Sequence, residues 1–237
     1  MSGTLRERLA ALDWRALRAD LDERGWARTP PLLTAAECAA LIRLWTDDER
    51  FRKRIDMESH RYGRGEYRYL AYPLPPLVRE LRSELYRRLR PVAERWLRSL
   101  GQEPDFPPAL RGFSARCAQA GQSRPTPLLL RYTKDGYNCL HQDRYGEVAF
   151  PLQAVVSLSR RGIDYEGGDF LLVEQRPRAQ SRGESIALER GQLLFFPNGS
   201  RPLASKRGPV RGTVRHGVST LMRGERLALG VIFHDAQ

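Results

Sequence analysis

From Pro125 to the carboxyl end the chain is written as short apolar and β-branched runs, broken at Asp135-Gly136, Gly167-Gly168, Arg190-Gly191, Asn198-Gly199 and Arg223-Gly224. Pairs of this kind mark turns. The runs between them predict strands near Pro127 to Thr133, Tyr137 to Gln142, Pro151 to Ser159, Phe170 to Glu174, Ser185 to Leu188, Gln192 to Phe196, Thr213 to Leu221 and Leu227 to His234. Eight short strands in succession read as a jelly roll, the double-stranded β-helix in which two antiparallel sheets face each other.

The first half carries the helical period. Leu5, Leu9, Leu12, Trp14, Leu17 and Leu21 recur near helical spacing, and Thr34 with Glu37 three positions on is a capping box for a helix to about Trp45. A third helix is expected after Pro75 and Pro76, with Val78, Leu81, Leu85, Leu89, Val92 and Trp96 inward, Gly101 as its stop, and a kink or split at Pro91. A shorter one is expected over Ala109 to Ala118. Between the second and third helices lies SHRYGRGEYRYLAY, Ser59 to Tyr72, dense in arginine and tyrosine. The expected fold is α+β, with N-terminal helices packed on one face of a jelly roll of about eight strands. Residues 1–124 form a helical region with 59–72 as a candidate lid, 125–237 form the catalytic core, and the two integrate as one domain.

Forty Lys plus Arg against 28 Asp plus Glu give a net charge of +12. The stretch 176–226 holds 11 of the basic residues against Glu184, Glu189 and Glu225, so two-thirds of the excess sits there. That charge admits DNA, RNA or another polyanion as partner. All the basic residues except Lys53, Lys134 and Lys206 are arginines, a bias that genome composition produces as readily as selection for binding. No apolar run approaches the roughly 20 residues of a bilayer span, and Met1 to Gly25 is laced with charge where a signal peptide has an apolar core. A cytoplasmic protein with no membrane partner is expected. Cys38, Cys117 and Cys139 lack a CxxC pair, so reduced thiols are expected rather than disulfides or a zinc knuckle.

Chemistry concentrates in LLLRYTKDGYNCLHQD, Leu128 to Asp143. Residues two apart in a strand point the same way, so His141 and Asp143 present an imidazole and a carboxylate to one side of a strand end. His216, in the basic strand TVRHGVS, is the candidate third ligand, because only His60 and His234 otherwise remain. Two histidines and a carboxylate on one face of an octahedron leave three positions open, the arrangement of non-haem Fe(II) oxygenases. A 2-oxo acid can chelate two of them and O2 can take the third. Its distal carboxylate then needs a fixed cation, and Arg226, placed at the start of the last strand by a reversal at Gly224, has the planar fork for it. Tyr132 is placed to add a phenolic hydrogen bond.

The order His141-Gln142-Asp143, His216, Arg226 across such a region resembles the Fe(II)/2-oxoglutarate-dependent dioxygenase superfamily. Arg131-Tyr132, then Leu140-His141-Gln142-Asp143, then His216-Gly217 are similar to the AlkB-type nucleic-acid demethylases over roughly Pro125 to Ala236. Over nearly the full length, GEYRYLAYPLP, AGQSRPTPLLLRY, NCLHQD and GVIFHDA also resemble a bacterial oxygenase family described as acting oxidatively on damaged nucleic acid. The resemblance implies Fe(II), with 2-oxoglutarate and O2 as cosubstrates and ascorbate as a stimulant. It further implies decarboxylation to succinate and CO2 coupled to hydroxylation of a C–H bond, with a hydroxylated N-methyl group collapsing to formaldehyde. The chain departs from the AlkB pattern in having Leu130 where an asparagine stands and Ile232 where a second arginine stands. Its ten-residue step from His216 to Arg226 matches prolyl-hydroxylase-like members better. These departures leave cosubstrate binding intact and weaken the demethylase assignment.

On the substrate side, guanidinium groups that bind phosphates and rings that stack on bases make Arg61, Tyr62, Arg64, Tyr67 and Tyr69 candidate contacts, with Arg176 and Arg178 from EQRPRAQSRG. The plainer readings are an amphipathic hairpin and a solvated loop. His60 reads as a surface or lid residue and His234 as a structurally partnered one. Cys139 shares the ligands' side in a regular strand as a small filler, whereas Asn138 and Gln142 fall on the opposite pleat. Three functions compete: oxidation of an alkylated nucleobase, the same chemistry on a protein (prolyl-type) or small molecule, and a non-enzymatic basic jelly-roll module that binds nucleic acid.

Overall fold

A computed structural model describes residues 3–143 and 145–237. In chain order its elements are α1 (Leu5–Ala10), α2 (Trp14–Arg24), β1 (Ala27–Arg28), α3 (Ala35–Arg43), β2 (Phe51–Asp56), β3 (Gly63–Arg64), β4 (Glu66–Leu70), α4 (Pro76–Ser99) and α5 (Leu110–Gln119). There follow β5 (Leu128–Thr133), β6 (Tyr137–His141), β7 (Leu152–Ser157), β8 (Tyr165–Gly167), β9 (Phe170–Gln175), β10 (Arg182–Ile186), β11 (Leu193–Pro197), β12 (Ser200–Leu203), β13 (Val210–Val218) and β14 (Leu221–Val231). The larger sheet runs β1-β11-β7-β14-β5-β4-β2 with β8 beside β14, and the smaller runs β10-β9-β13-β6-β3 with β12 beside β13.

Period-two alternation on β14 explains how one strand serves two environments. Leu227, Leu229 and Val231 point outward and join the core under the helices, together with Leu21, Leu41, Leu85, Leu89 and Trp96. Arg226, Ala228 and Gly230 point the other way and line a cavity between the sheets. The helices thus cover one face of the larger sheet, as an amphipathic stripe must. In α4 all six expected inward residues, from Val78 to Trp96, are buried.

Several local expectations change. Pro91 does not split α4, which is continuous from Pro76 to Ser99. The missing N–H costs about 3 kcal/mol, and each buried side chain along the stripe contributes about 1.5–3 kcal/mol. The leucine run from Leu5 to Leu21 divides into two helices because Asp13 caps a new start, accepting the Ala16 N–H at 3.0 Å. Strands β8 and β12 were not expected, nor were β1 to β4. The candidate lid 59–72 instead contributes walls: β3 joins β6 in the smaller sheet and β4 pairs with β5 in the larger, where the preceding β2 pairs with β4.

Gly65 stands between β3 and β4, at the point where the chain crosses from one sheet to the other. Its φ is +149°, and a Cβ there would lie 2.9 Å from the Tyr132 ring and 3.0 Å from the Arg131 carbonyl. Gly224 is not the expected reversal. With φ +79° it lies inside a continuous β14, in register with Tyr165 of β8, where a Cβ would meet the Asp164 carbonyl; the strand's register shift falls earlier, between Leu221 and Arg223. Arg226 consequently lies within β14 and not at its start.

Candidate functional site

His141 and His216 are direct partners across the β6–β13 ladder. Their ring centroids are 4.3 Å apart, and Asp143 follows β6 so that its Oδ2 is 3.2 Å from His216 Nε2 and its Oδ1 is 3.6 Å from His141 Nε2. One ligand atom from each of the three falls within 4.8 Å of the others. His141 Nδ1 donates to the Cys139 carbonyl at 2.7 Å, which fixes the tautomer and turns the Nε2 lone pair toward the cluster. His216 is held by Phe170, whose ring is 10° from parallel at 5.7 Å, and by Phe196 at 4.8 Å.

Burial lowers the His141 pKa and the neighbouring His216 lowers it further, against the raising effect of Asp143 and of the Cys139 carbonyl. Burial pushes the Asp143 carboxyl upward, but the hydrogen bond and charge of His216, the charge of His141 and the Tyr145 hydrogen bond outweigh it and hold the pKa well below the usual carboxylate range. Two imidazoles and one carboxylate are the donor set of a divalent first-row metal with open positions.

The cluster opens into a cavity of about 400 Å³. Arg226 reaches it from β14, paired in register with Tyr132 on β5, its guanidinium 5.6 Å from the Tyr132 ring centroid. Arg226 is 2% exposed, and its Nε has no hydrogen-bond partner among the described residues. Nearby carboxylates are taken by other arginines: Glu225 by Arg131, Glu166 by Arg223 and Asp169 by Arg161. Tyr132 is fully buried, and burial pushes its pKa up to about 12 against the moderating charge of Arg226. Its hydroxyl accepts from Asn138 Nδ2 at 3.4 Å. An orphan buried guanidinium donor beside a phenol is what a ligand carboxylate would satisfy.

Asn138 reaches the cavity because of an irregularity in β6. His216 pairs with His141 but Val218 pairs with Asn138, so three residues of β6 span two of β13. The bulge brings Asn138 onto the ligands' side, where a regular strand would have put it on the opposite pleat, while Cys139, exposed, also lines the cavity as expected. Gln142 donates instead to the Gly199 and Val214 carbonyls at 2.7 and 2.8 Å.

Of the substrate-side candidates, Arg61, Tyr62, Tyr67 and Tyr69 line the cavity. Arg64 lies in an adjoining surface groove with Glu58, Asp135 and Tyr137. Arg176 and Arg178 sit on the connection between β9 and β10, outside the cavity lining, with Arg176 Nε 3.5 Å from Glu174. His60 is exposed and bonds Ser59 and the Asp56 carbonyl, while His234 is fully buried and accepts the Phe150 N–H at 3.3 Å. Tyr145 and Gln153, polar liners, escaped sequence reasoning. Tyr145 donates to Asp143 Oδ1 at 2.9 Å, and Gln153 presents a buried side-chain nitrogen without a partner among the described residues. The spacing of Tyr145, two after Asp143, was a usable signal; Gln153 in an apolar strand was another.

Residues 65–236 match the sequence family Oxygenase-NA, described as oxygenase, catalysing oxidative methylation of damaged DNA. The uncharacterized protein Rv2227 of Mycobacterium tuberculosis (strain ATCC 25618 / H37Rv) is 49% identical over 164 residues, 69% of this chain and 70% of that one. Among solved structures, a Pseudomonas putida prolyl-4-hydroxylase superposes with a TM-score of 0.53 at 16% identity, over 94% of this chain and 100% of the other. An oxidoreductase of the 2OG-Fe(II) oxygenase family from Burkholderia pseudomallei gives 0.50 at 17%, over 100% of this chain and 94% of the other. At these identities the structures speak for the double-stranded β-helix alone, and the sequence match supplies the rest. The fold and family together define a 2-oxoglutarate/Fe(II)-dependent oxygenase. Within that class the chain belongs to the Oxygenase-NA family.

Proposed function

We propose that His141, Asp143 and His216 hold Fe(II), that Arg226 and Tyr132 hold 2-oxoglutarate, and that the enzyme oxidises an alkylated nucleobase in DNA or RNA. The observation that carries the reading is the buried guanidinium of Arg226, whose Nε has no partner among the described residues, in the same cavity as the three converging side chains. With iron and 2-oxoglutarate bound, the group supplies oxidative decarboxylation to succinate and CO2 coupled, with O2, to hydroxylation of a C–H bond. The protein's own work is placement. Arg226 neutralises the distal carboxylate in a dry setting, Tyr132 and Asn138 offer polar contacts beside it, and His141 is kept in the metal-binding tautomer by the Cys139 carbonyl. Phe170 and Phe196 hold the His216 ring and exclude water from its back.

On the substrate side, Tyr62 is 48% exposed at the cavity wall next to Arg61. A ring and a guanidinium so placed suit a base and its phosphate, and the family description points to nucleic acid. A base within a duplex must be flipped outward to reach the ligands. The test supplies Fe(II), 2-oxoglutarate and ascorbate with single-stranded oligonucleotides carrying an N-methylated base, following succinate and formaldehyde. Stoichiometric formaldehyde is expected, with binding that weakens as salt rises. Salt-insensitive behaviour with succinate formed only on a prolyl peptide or a small acid would overturn the substrate assignment. Absence of succinate under all conditions would overturn the enzymatic reading of these residues.

A further inference from the structure

The two oxygens of Asp143 have different surroundings. Oδ2 lies 3.2 Å from His216 Nε2, whereas Oδ1 accepts the Tyr145 hydroxyl at 2.9 Å. The Tyr145 oxygen in turn accepts the Tyr69 hydroxyl at 3.0 Å. Tyr69 is itself fixed: it is 6% exposed on β4, with the Tyr67 ring edge-on at 5.4 Å and the Arg52 guanidinium 4.5 Å from its ring centroid. Tyr145 is braced by the Tyr69 ring at 6.1 Å and by His234 at 5.8 Å. A phenol has a single O–H. With Tyr69 donating to its oxygen, the one proton of Tyr145 is committed to Asp143.

A carboxylate with both oxygens free can ligate a metal through one or through both. Ligation through both would consume a position that the proposed chemistry needs for 2-oxoglutarate or O2. We propose that Tyr145, oriented by Tyr69, is a positioning residue that occupies Oδ1 of Asp143 and so restricts this ligand to one oxygen. The inference rests on the reading that His141, Asp143 and His216 hold the metal. It assigns a purpose to the tyrosines of β4: Tyr69, on the larger sheet, orders a ligand that belongs to the end of β6 in the smaller one.

The test uses Mn(II) for affinity and Co(II) for coordination, read from its visible absorption, on the full chain. Tyr145→Phe keeps the ring and removes only the hydroxyl. It is expected to bind Mn(II) about 10–100-fold more weakly, the usual consequence of losing a partner of a metal ligand, and to show a Co(II) band changed in position and intensity. Tyr69→Phe, which leaves Tyr145 in place, is expected to shift the Co(II) band in the same direction by less. An unchanged Co(II) spectrum in Tyr145→Phe that folds as the wild type does overturns the proposal. Should that variant fail to fold, an unchanged spectrum in Tyr69→Phe overturns it instead. His216→Ala separates the two levels. Wild-type metal binding lost in His216→Ala but unaltered in Tyr145→Phe sinks the positioning role alone, whereas a wild-type protein that binds neither ion sinks the metal reading with it.

Discussion

Replacing Arg226 with methionine should move cosubstrate affinity and protein stability in opposite directions. The side chain is 2% exposed, its Nε has no hydrogen-bond partner among the described residues, and the carboxylates Glu225, Glu166 and Asp169 are bound to other arginines. Removing one partner of a buried charge pair costs about 2–5 kcal/mol. At about 1.4 kcal/mol per tenfold, the 2-oxoglutarate requirement should rise by roughly 30-fold to a few thousandfold. In the ligand-free protein the same guanidinium is a burden, because an unsatisfied buried polar group costs about 1–3 kcal/mol. Methionine keeps the apolar stem and loses the stacking on Tyr132 at 5.6 Å, which is worth about 0.5–2 kcal/mol. The ligand-free melting temperature should therefore stay level or rise, by about 2–4 °C for each net kcal/mol. Succinate formation against 2-oxoglutarate concentration and calorimetry of the ligand-free protein check the two halves. A wild-type 2-oxoglutarate dependence refutes the assignment of Arg226, and a fall of many degrees refutes the claim that the guanidinium is unsatisfied without ligand.

Three further outcomes are expected. Mn(II) at about 100 times its dissociation constant should add about 2.7 kcal/mol of stability, or roughly 5–10 °C by calorimetry, reversed by chelator and absent in His216→Ala. Arg82 is buried against Asp235 at 2.6 Å and donates to the Ile232 and Phe233 carbonyls, so Arg82→Met should cost about 3–5 kcal/mol in urea unfolding by stranding the carboxylate. Burial lowers the His234 pKa from 6.5 to about 4. The folded protein keeps this imidazole neutral while the unfolded chain protonates it, so stability is complete above about pH 6.5 and falls toward pH 4, by up to about 3 kcal/mol. His234→Asn should flatten that window in denaturation curves run across pH.

The strand-and-turn grammar after Pro125 was legible because turn residues and period-two alternation are local signals. That His141 and Asp143 share one side was legible for the same reason, and the convergence of the distant His216 on them followed because few histidines competed for the place. Non-local features were not. Phe51-Arg52-Lys53-Arg54-Ile55 has no apolar face that announces a strand, and β2 exists because β4 offers it a ladder beside β5. The extra residue in β6 has no signature in YNCLH, yet it lets Asn138 join Cys139 in lining the cavity. The role of Gly224 was misjudged because a glycine at positive φ serves a close backbone approach within a strand as well as a reversal, and only the neighbouring Asp164 carbonyl beside β8 distinguishes them. Pro91 was given too much weight against the buried stripe of α4.

Gly65 has one last implication. Because β3 belongs to the smaller sheet and β4 to the larger, a single residue ties the two walls together beside the cavity. Walls stitched this closely resist parting at that seam, because opening the cavity there would break either the β3–β6 or the β4–β5 ladder. The enzyme is built like a purse sewn shut along one edge.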